Sequence, residues 1–245
     1  CDPILAGRFL CDAIGKRLTS SLGYTLLYDD RDNRIRPTRG QSLGISQDFA
    51  GLGGSVKYIK TRVNADKYWK PFGNFVFGLS FEGGYIHPLE NRGLAGIDDV
   101  RLTDRFYLGE PQMRGFDIRG VGPRVQRIFQ EGKIVNGVAV NNPITDRNQI
   151  QDDAIGGRFY YMGRAELQIP LGSGARELGL RPSLFVDVGS VFDVTRPVLQ
   201  SVQQREVLAD GTQGGLLYYF VDSAGALQTS TTAVNGDGSA RVAAF

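Results

Sequence analysis

The sequence holds one histidine, two cysteines and one tryptophan, and no apolar run approaches the roughly 18 residues of a membrane helix. The missing run excludes a helical span but not a β-barrel, whose strands alternate and escape hydropathy windows. The single histidine, His87, precedes Pro88 at a predicted strand end. With two cysteines it cannot build a usual zinc site, and it is read as a bystander. A Gly-x-Ser-x-Gly elbow and a Walker A loop are both missing, and Gly51–Gly54 lacks dinucleotide-fingerprint spacing. Asn235-Gly236-Asp237-Gly238 faintly suggests a calcium loop, but no acidic residue follows at the twelfth position, so an ordinary turn is expected. No catalytic residue, metal or cofactor is therefore expected, and no enzyme activity. Charge of one sign is also lacking: 28 basic against 26 acidic residues leave a net +2, which gives no field to attract nucleic acid.

What is abundant points to sheet. Glycine numbers 33, phenylalanine 14 and tyrosine 10, a mixture suited to turns, strands and aromatic girdles. A length of 245 residues fits one large all-β unit. Cys1 and Cys11 are close enough in sequence for a disulfide, which would imply an oxidising compartment; the competing reading is two unrelated thiols. With no signal peptide ahead of Cys1, a fragment of a mature chain is the expectation.

Along the chain, a short helix is predicted around Pro3–Leu10, within an N-terminal loop end over residues 1–21. Period-2 alternation then predicts six strands over about Leu22–Asp29, Gln41–Phe49, Val56–Trp69, Phe75–Pro88, Phe159–Leu171 and Leu180–Phe192. Phe75, Phe77, Leu79, Phe81 and Tyr85 share one face of the fourth, too aromatic a row to stand in water. The opposite faces carry Arg62, Asp66, Arg164, Glu166 and Asp187. A soluble two-sheet sandwich would also alternate cleanly. Connection lengths favour lipid: the links at 30–40, 70–74 and 172–179 share one edge of the meander and are short. On the other edge, 88–158 and the stretch from 194 onward are long and 50–55 is brief, as in outer-membrane barrels. Residues 22–193 thus form the strand region, 88–158 is a long loop, and 194–245 is read as a second long, extracellular loop with only a weak strand-like patch at Leu216–Val221. Gln126–Ala154 looks like an insertion.

The segment Gly109–Pro123 sets four glycines, two prolines, two arginines and two acidic residues around Phe116. Long loops in compact folds are usually functional. A constellation of Arg114 with Glu166 and Asp187, carboxylates on the next two strands, permits a latch in which the Arg fork meets carboxylate oxygens. Three independently solvated charges remain the alternative at this point.

Met113-Arg114-Gly115-Phe116, within Phe106-Tyr107-Leu108-Gly109 through Gly120-Val121-Gly122-Pro123, resembles the loop motif of the BamA-type outer-membrane insertases. Phe185-Val186-Asp187-Val188-Gly189 resembles the second motif of that family. Asp30-Arg31-Asp32-Asn33 with Pro37-Thr38-Arg39-Gly40 resembles its periplasmic turn. The resemblance implies part of an antiparallel up-and-down transmembrane barrel of about sixteen strands in a Gram-negative outer membrane. It implies that the loop folds into the lumen, where Arg114 pairs with Asp187 and Glu166. Its implied partners are nascent outer-membrane proteins, assembly lipoproteins, and outer-membrane lipid and lipopolysaccharide.

Six strands cannot close a barrel, for which about eight are needed. Phe245 mimics a terminal aromatic, but Ser239–Ala244 has poor strand character, so a truncated section is expected. Autotransporter-assembly and two-partner secretion translocases of the same superfamily are sister readings. A passive porin or a soluble β-sandwich adhesion module is the reading from another class.

Overall fold

The computed structural model of the protein describes residues 8–171, 180–198, 205–209 and 213–239. Two compact units share the chain: one takes residues up to 124 together with 154–198, the other 125–153 and the chain beyond 198.

The first unit is built on a six-stranded antiparallel sheet. Its strands are β1 (Ser21–Asp29), β2 (Gly40–Ala50), β3 (Tyr58–Trp69), β4 (Val76–Pro88), β9 (Phe159–Gln168) and β10 (Ser183–Phe192). They pair in that order, each with its neighbour in sequence except across the long excursion between β4 and β9. All six predicted strands are present with ends within about three residues of expectation, a usual margin for frayed termini. Lengths of 9 to 13 residues suffice for a tilted crossing of a bilayer.

Register keeps the two faces chemically distinct, because a one-residue slip would exchange them. Tyr28, Leu43, Ala65, Phe81, Gly163 and Val188 form one continuous row across the sheet. Leu22, Leu26, Ile45, Leu79, Leu184 and Val186 on the same face are all exposed. Aromatic residues are spread along this face, with Tyr24, Phe81 and Tyr161 in its middle rows. Tyr28, Trp69 and Phe77 lie toward the short turns, and Phe49, Tyr85, Phe159 and Phe192 toward the long connections. An exposed strand face made of aliphatic and aromatic side chains, opposite a polar one, is what a lipid-facing wall presents.

The other face carries Ser42, Asp66, Ser80, Arg164 and Asp187 in a single row. A core sits against this inner face. Ile86, Tyr160, Met162 and Val191 from the strands pack with Val100, Phe106, Leu108 and Met113 from the excursion. Burial of those loop side chains, each contributing roughly 1.5–3 kcal/mol, is what holds an irregular segment against a polar wall.

A short helix, α1 (Arg8–Ala13), overlaps the end of the predicted Pro3–Leu10; residues 1–7, with Cys1 and the start of that prediction, lie outside the described residues. Cys11 is disulfide-bonded. Asp12 accepts from both terminal nitrogens of Arg92, one at 2.8 Å, which ties α1 to the start of the excursion.

In the second unit, regular structure occurs where the sequence shows no sustained period. Strands β6 (Gln130–Val135) and β7 (Val138–Pro143) form a hairpin, and β5 (Arg124–Arg127) pairs with β8 (Gln151–Ala154). Beyond 198, β11 (Arg205–Val207) pairs with β12 (Gln213–Leu216), and β13 (Tyr218–Val221) with β14 (Leu227–Ser230). The stretch 194–245 is therefore not wholly loop. The hairpin turn is Asn136-Gly137, with φ of 55° and 78°, the backbone a two-residue type I′ connection requires. The backbone N–H groups of Ala139 and Val221 both donate to the Gly236 carbonyl, linking the inserted hairpin to the distal segment within this unit. Asn235–Gly238 is a turn in which Asp237 accepts from the N–H and hydroxyl of Ser239.

Candidate functional site: a loop seated on the inner wall

The excursion between β4 and β9 returns to the sheet at defined points. Phe106 and Gly157 exchange backbone hydrogen bonds at 2.9 and 3.1 Å, and Leu108 bridges to Val121. These contacts close a stem from which residues 109–120 project. Gly109 has φ 155°, and a Cβ there would overlap the Asp117 carbonyl oxygen, so the entry to the loop requires glycine. The Met113 N–H then donates to the Gly109 carbonyl at 2.9 Å, turning the chain so that Met113 enters the core and Arg114 faces the strands.

Arg114 meets β10 with a fork. Its Nε and Nη2 each donate at 2.9 Å to the two oxygens of Asp187, and its own backbone N–H points at the same carboxylate at 3.4 Å. Nη1 reaches Glu166 Oε2 at 3.5 Å, a weaker contact than the Asp187 pair. The Phe185 ring lies beneath the guanidinium, with Cζ 3.2 Å from its centroid. Such a stack contributes about 0.5–2 kcal/mol, depending on desolvation. The Asp187 side chain is only 4% exposed, whereas that of Arg114 is 33% exposed, so the carboxylate end of the pair is the shielded one.

The second motif is explained position by position. Phe185, Asp187 and Gly189 alternate along β10 and therefore share the inner face. Phe185 supplies the ring and Asp187 the carboxylate. Gly189 supplies room: a Cβ there would stand 2.8 Å from Leu108 Cδ2 and 2.9 Å from the Tyr161 carbonyl, where the loop crosses the strand.

Arg164 is a functional neighbour that spacing alone did not single out. Its Nε donates to Asp187 Oδ1 at 2.9 Å and its Nη2 to the Gln112 carbonyl at 2.7 Å, so it grips both wall and loop. The register pair Asp187↔Arg164 is the signal that finds it, and that pairing is a property of the sheet. Phe116 stands apart from this cluster at 45% exposure; the ring beside Arg114 belongs to Phe185. Gly115, with φ 83°, has open space around its Cα. His87 is exposed on β4, its ring near Tyr85.

A second anchor lies at the root of the excursion. Asp98 is completely buried, accepts from Val100 N–H at 2.9 Å, and takes both the N–H and the hydroxyl of Thr195 at 2.7 and 3.0 Å. Arg158, just before β9, stands 3.8 Å from it. Arg105, also buried, donates to the carbonyls of Val100 and Ile155. Lys60 on β3 donates to the Asp104 carbonyl at 2.8 Å and lies over the Phe106 ring. Burial pushes the Asp104 carboxyl above its ordinary value.

Comparisons with known proteins place the chain in a family. Residues 8–221 match the Omp85 superfamily domain. The outer membrane protein assembly factor BamA of Neorickettsia risticii is 29% identical over 207 residues, covering 83% of this chain and 23% of that protein. The human sorting and assembly machinery component 50 homolog is 29% identical over 186 residues, 74% of this chain and 33% of its own length. The crystal structure of BamA from Haemophilus ducreyi lacking POTRA domains 1-3 superposes with a TM-score of 0.52 at 22% identity, over 71% of this chain and 30% of that one. The chain thus spans a quarter to a third of the length of these relatives. It belongs to the Omp85 superfamily, as a section of a multi-pass β-barrel of the bacterial outer membrane.

Proposed function

We propose that this chain is a wall section of an insertase that folds nascent barrel proteins into the outer membrane. Its work is mechanical, not chemical. The observation that carries the reading is the Arg114 fork on Asp187, within a family whose relatives reported above are named as assembly factors. An irregular loop pinned by charge-assisted bonds stiffens the strands it crosses, each such bond contributing about 1.5–3 kcal/mol. A stiff wall confines opening to other strands of the barrel, and the client proteins would engage there. Nascent outer-membrane proteins are the proposed substrates, with assembly lipoproteins and lipopolysaccharide-bearing lipid as surroundings.

The test is Arg114→Ala in the full-length protein in cells that depend on it. The expected outcome is lower outer-membrane protein levels and a loosened, more heat-sensitive barrel on semi-native gels. Unchanged levels and unchanged mobility would remove the latch from the mechanism.

A further inference from the structure

We propose that the short-turn rim of this wall is a binding collar for the phosphate headgroups of anionic phospholipids. The inference rests on the membrane placement of the sheet and is independent of the insertase reading.

The turn between β1 and β2 uses up its own carboxylates. Asp29 holds Arg31 through two bonds at 2.8 and 3.0 Å, and Asp30 accepts from the Gln41 N–H and the Tyr28 hydroxyl. Asp32 accepts from the Thr38 hydroxyl and from the N–H groups of Thr38 and Arg39, which hold its carboxyl well below the usual range. Asn33 caps the N–H groups of Ile35 and Arg36. A turn so internally bonded has a fixed shape, and it projects Arg34, Ile35 and Arg36 outward, Ile35 at 89% exposure. Among the described residues neither Arg36 nor Arg39 forms an ion pair.

The neighbouring strand adds to the same level. Gly40 pairs with Tyr68, so the end of β3 and the turn after it leave the sheet beside the first turn. Lys67 and Trp69 lie there on the lipid-facing side, and Lys70 and Phe72 are exposed in the turn. A lysine among lipid-facing residues must carry its ammonium to the interface, where phosphate is the anion available. Cations interleaved with Ile35, Trp69 and Phe72 fit a boundary that is charged on one side and apolar on the other. A protein partner would not account for Lys67, whose face belongs to lipid.

The test is titration of phosphatidylglycerol onto the detergent-solubilised full-length protein, with bound lipid counted by native mass spectrometry. Arg36→Gln/Arg39→Gln/Lys67→Gln is expected to weaken binding about fivefold per charge removed, the factor appropriate to a cation near an anionic surface. Arg36→Lys/Arg39→Lys keeps the charge and should keep the affinity. Lys57→Gln, at the opposite rim, should leave it unchanged, and phosphatidylcholine should not compete. Inorganic phosphate alone should not displace the lipid. Undiminished binding by the triple variant, equal loss in Lys57→Gln, or displacement by free phosphate would each overturn the proposal. Retained heat-modifiable mobility verifies that the triple variant is folded.

Discussion

The tip and the root of the β4–β9 excursion are fastened to the same wall by opposite means. At the tip, Arg114 reaches across to a nearly buried Asp187 while remaining one-third exposed, and the pair is supplemented by Arg164 and the Phe185 ring. At the root, Asp98 is wholly enclosed and its partners are mostly backbone N–H groups and Thr195, with Arg105 spending its donors on carbonyls. The tip is a side-chain clasp that water can reach. The root is a piece of interior. A partly solvated ion pair contributes modestly and tolerates rearrangement, whereas an enclosed carboxylate leaves orphaned donors when it is removed. The loop can therefore loosen at Arg114 while staying attached through Asp98 and the core around Phe106.

The comparison breaks most visibly at the root. Asp98→Ala strands the donors of Val100 and Thr195 and removes the carboxylate 3.8 Å from Arg158, and is expected to cost about 3–5 kcal/mol, read as a lowered urea midpoint of the refolded barrel. A loss no greater than that of Arg114→Ala would put the two anchors on equal terms. Gly189→Ala crowds Leu108 and the Tyr161 carbonyl and should cost about 1–3 kcal/mol by overpacking, with the loop displaced from β10. Protease sensitivity within 109–120 is the readout. Arg164→Ala removes one of two cations from Asp187 and one bond to the loop, so an effect of about 1–2 kcal/mol is expected, smaller than at the root. The same urea titration ranks it.

The smallest effect concerns pH. The Arg92 guanidinium holds the Asp12 carboxyl below its ordinary value of 3.8. A depressed folded-state value means the stabilisation is present above the unfolded value and is lost as pH falls through the folded one. The α1 tether should therefore be constant from neutral pH down to about 4 and weaken only in stronger acid. Hydrogen exchange of residues 8–13 measures it, and Arg92→Gln should abolish the dependence.

The six strands were legible because one face of each meets lipid and the other does not, which writes period 2 into the residues from Leu22 to Phe192. The tip was legible through the motif resemblance: the charges of Arg114, Glu166 and Asp187 alone left three independently solvated groups open. The root was not, since Asp98, Arg105 and Thr195 join only after the excursion has folded, across separations no local pattern spans. Arg164 lay between these cases, visible on the polar face yet assigned a partner only by register. The β6–β7 hairpin had a local signal in Asn136-Gly137, between Ile134-Val135 and Val138-Ala139-Val140, but its strands are short and do not extend a wider period. Beyond 198 only the weak patch around Tyr218-Tyr219-Phe220-Val221 marks a strand; the other short strands there have no comparable signal.

The loop tip is held on the inner wall through Arg114 and Asp187. A double-mutant cycle with Arg114→Ala, Asp187→Ala and the double variant, scored by urea midpoint in the full-length protein, addresses that attachment directly. A coupling of about 1.5–3 kcal/mol is predicted, because each single change already removes the shared bonds. Additive losses, with a coupling near zero, would contradict it.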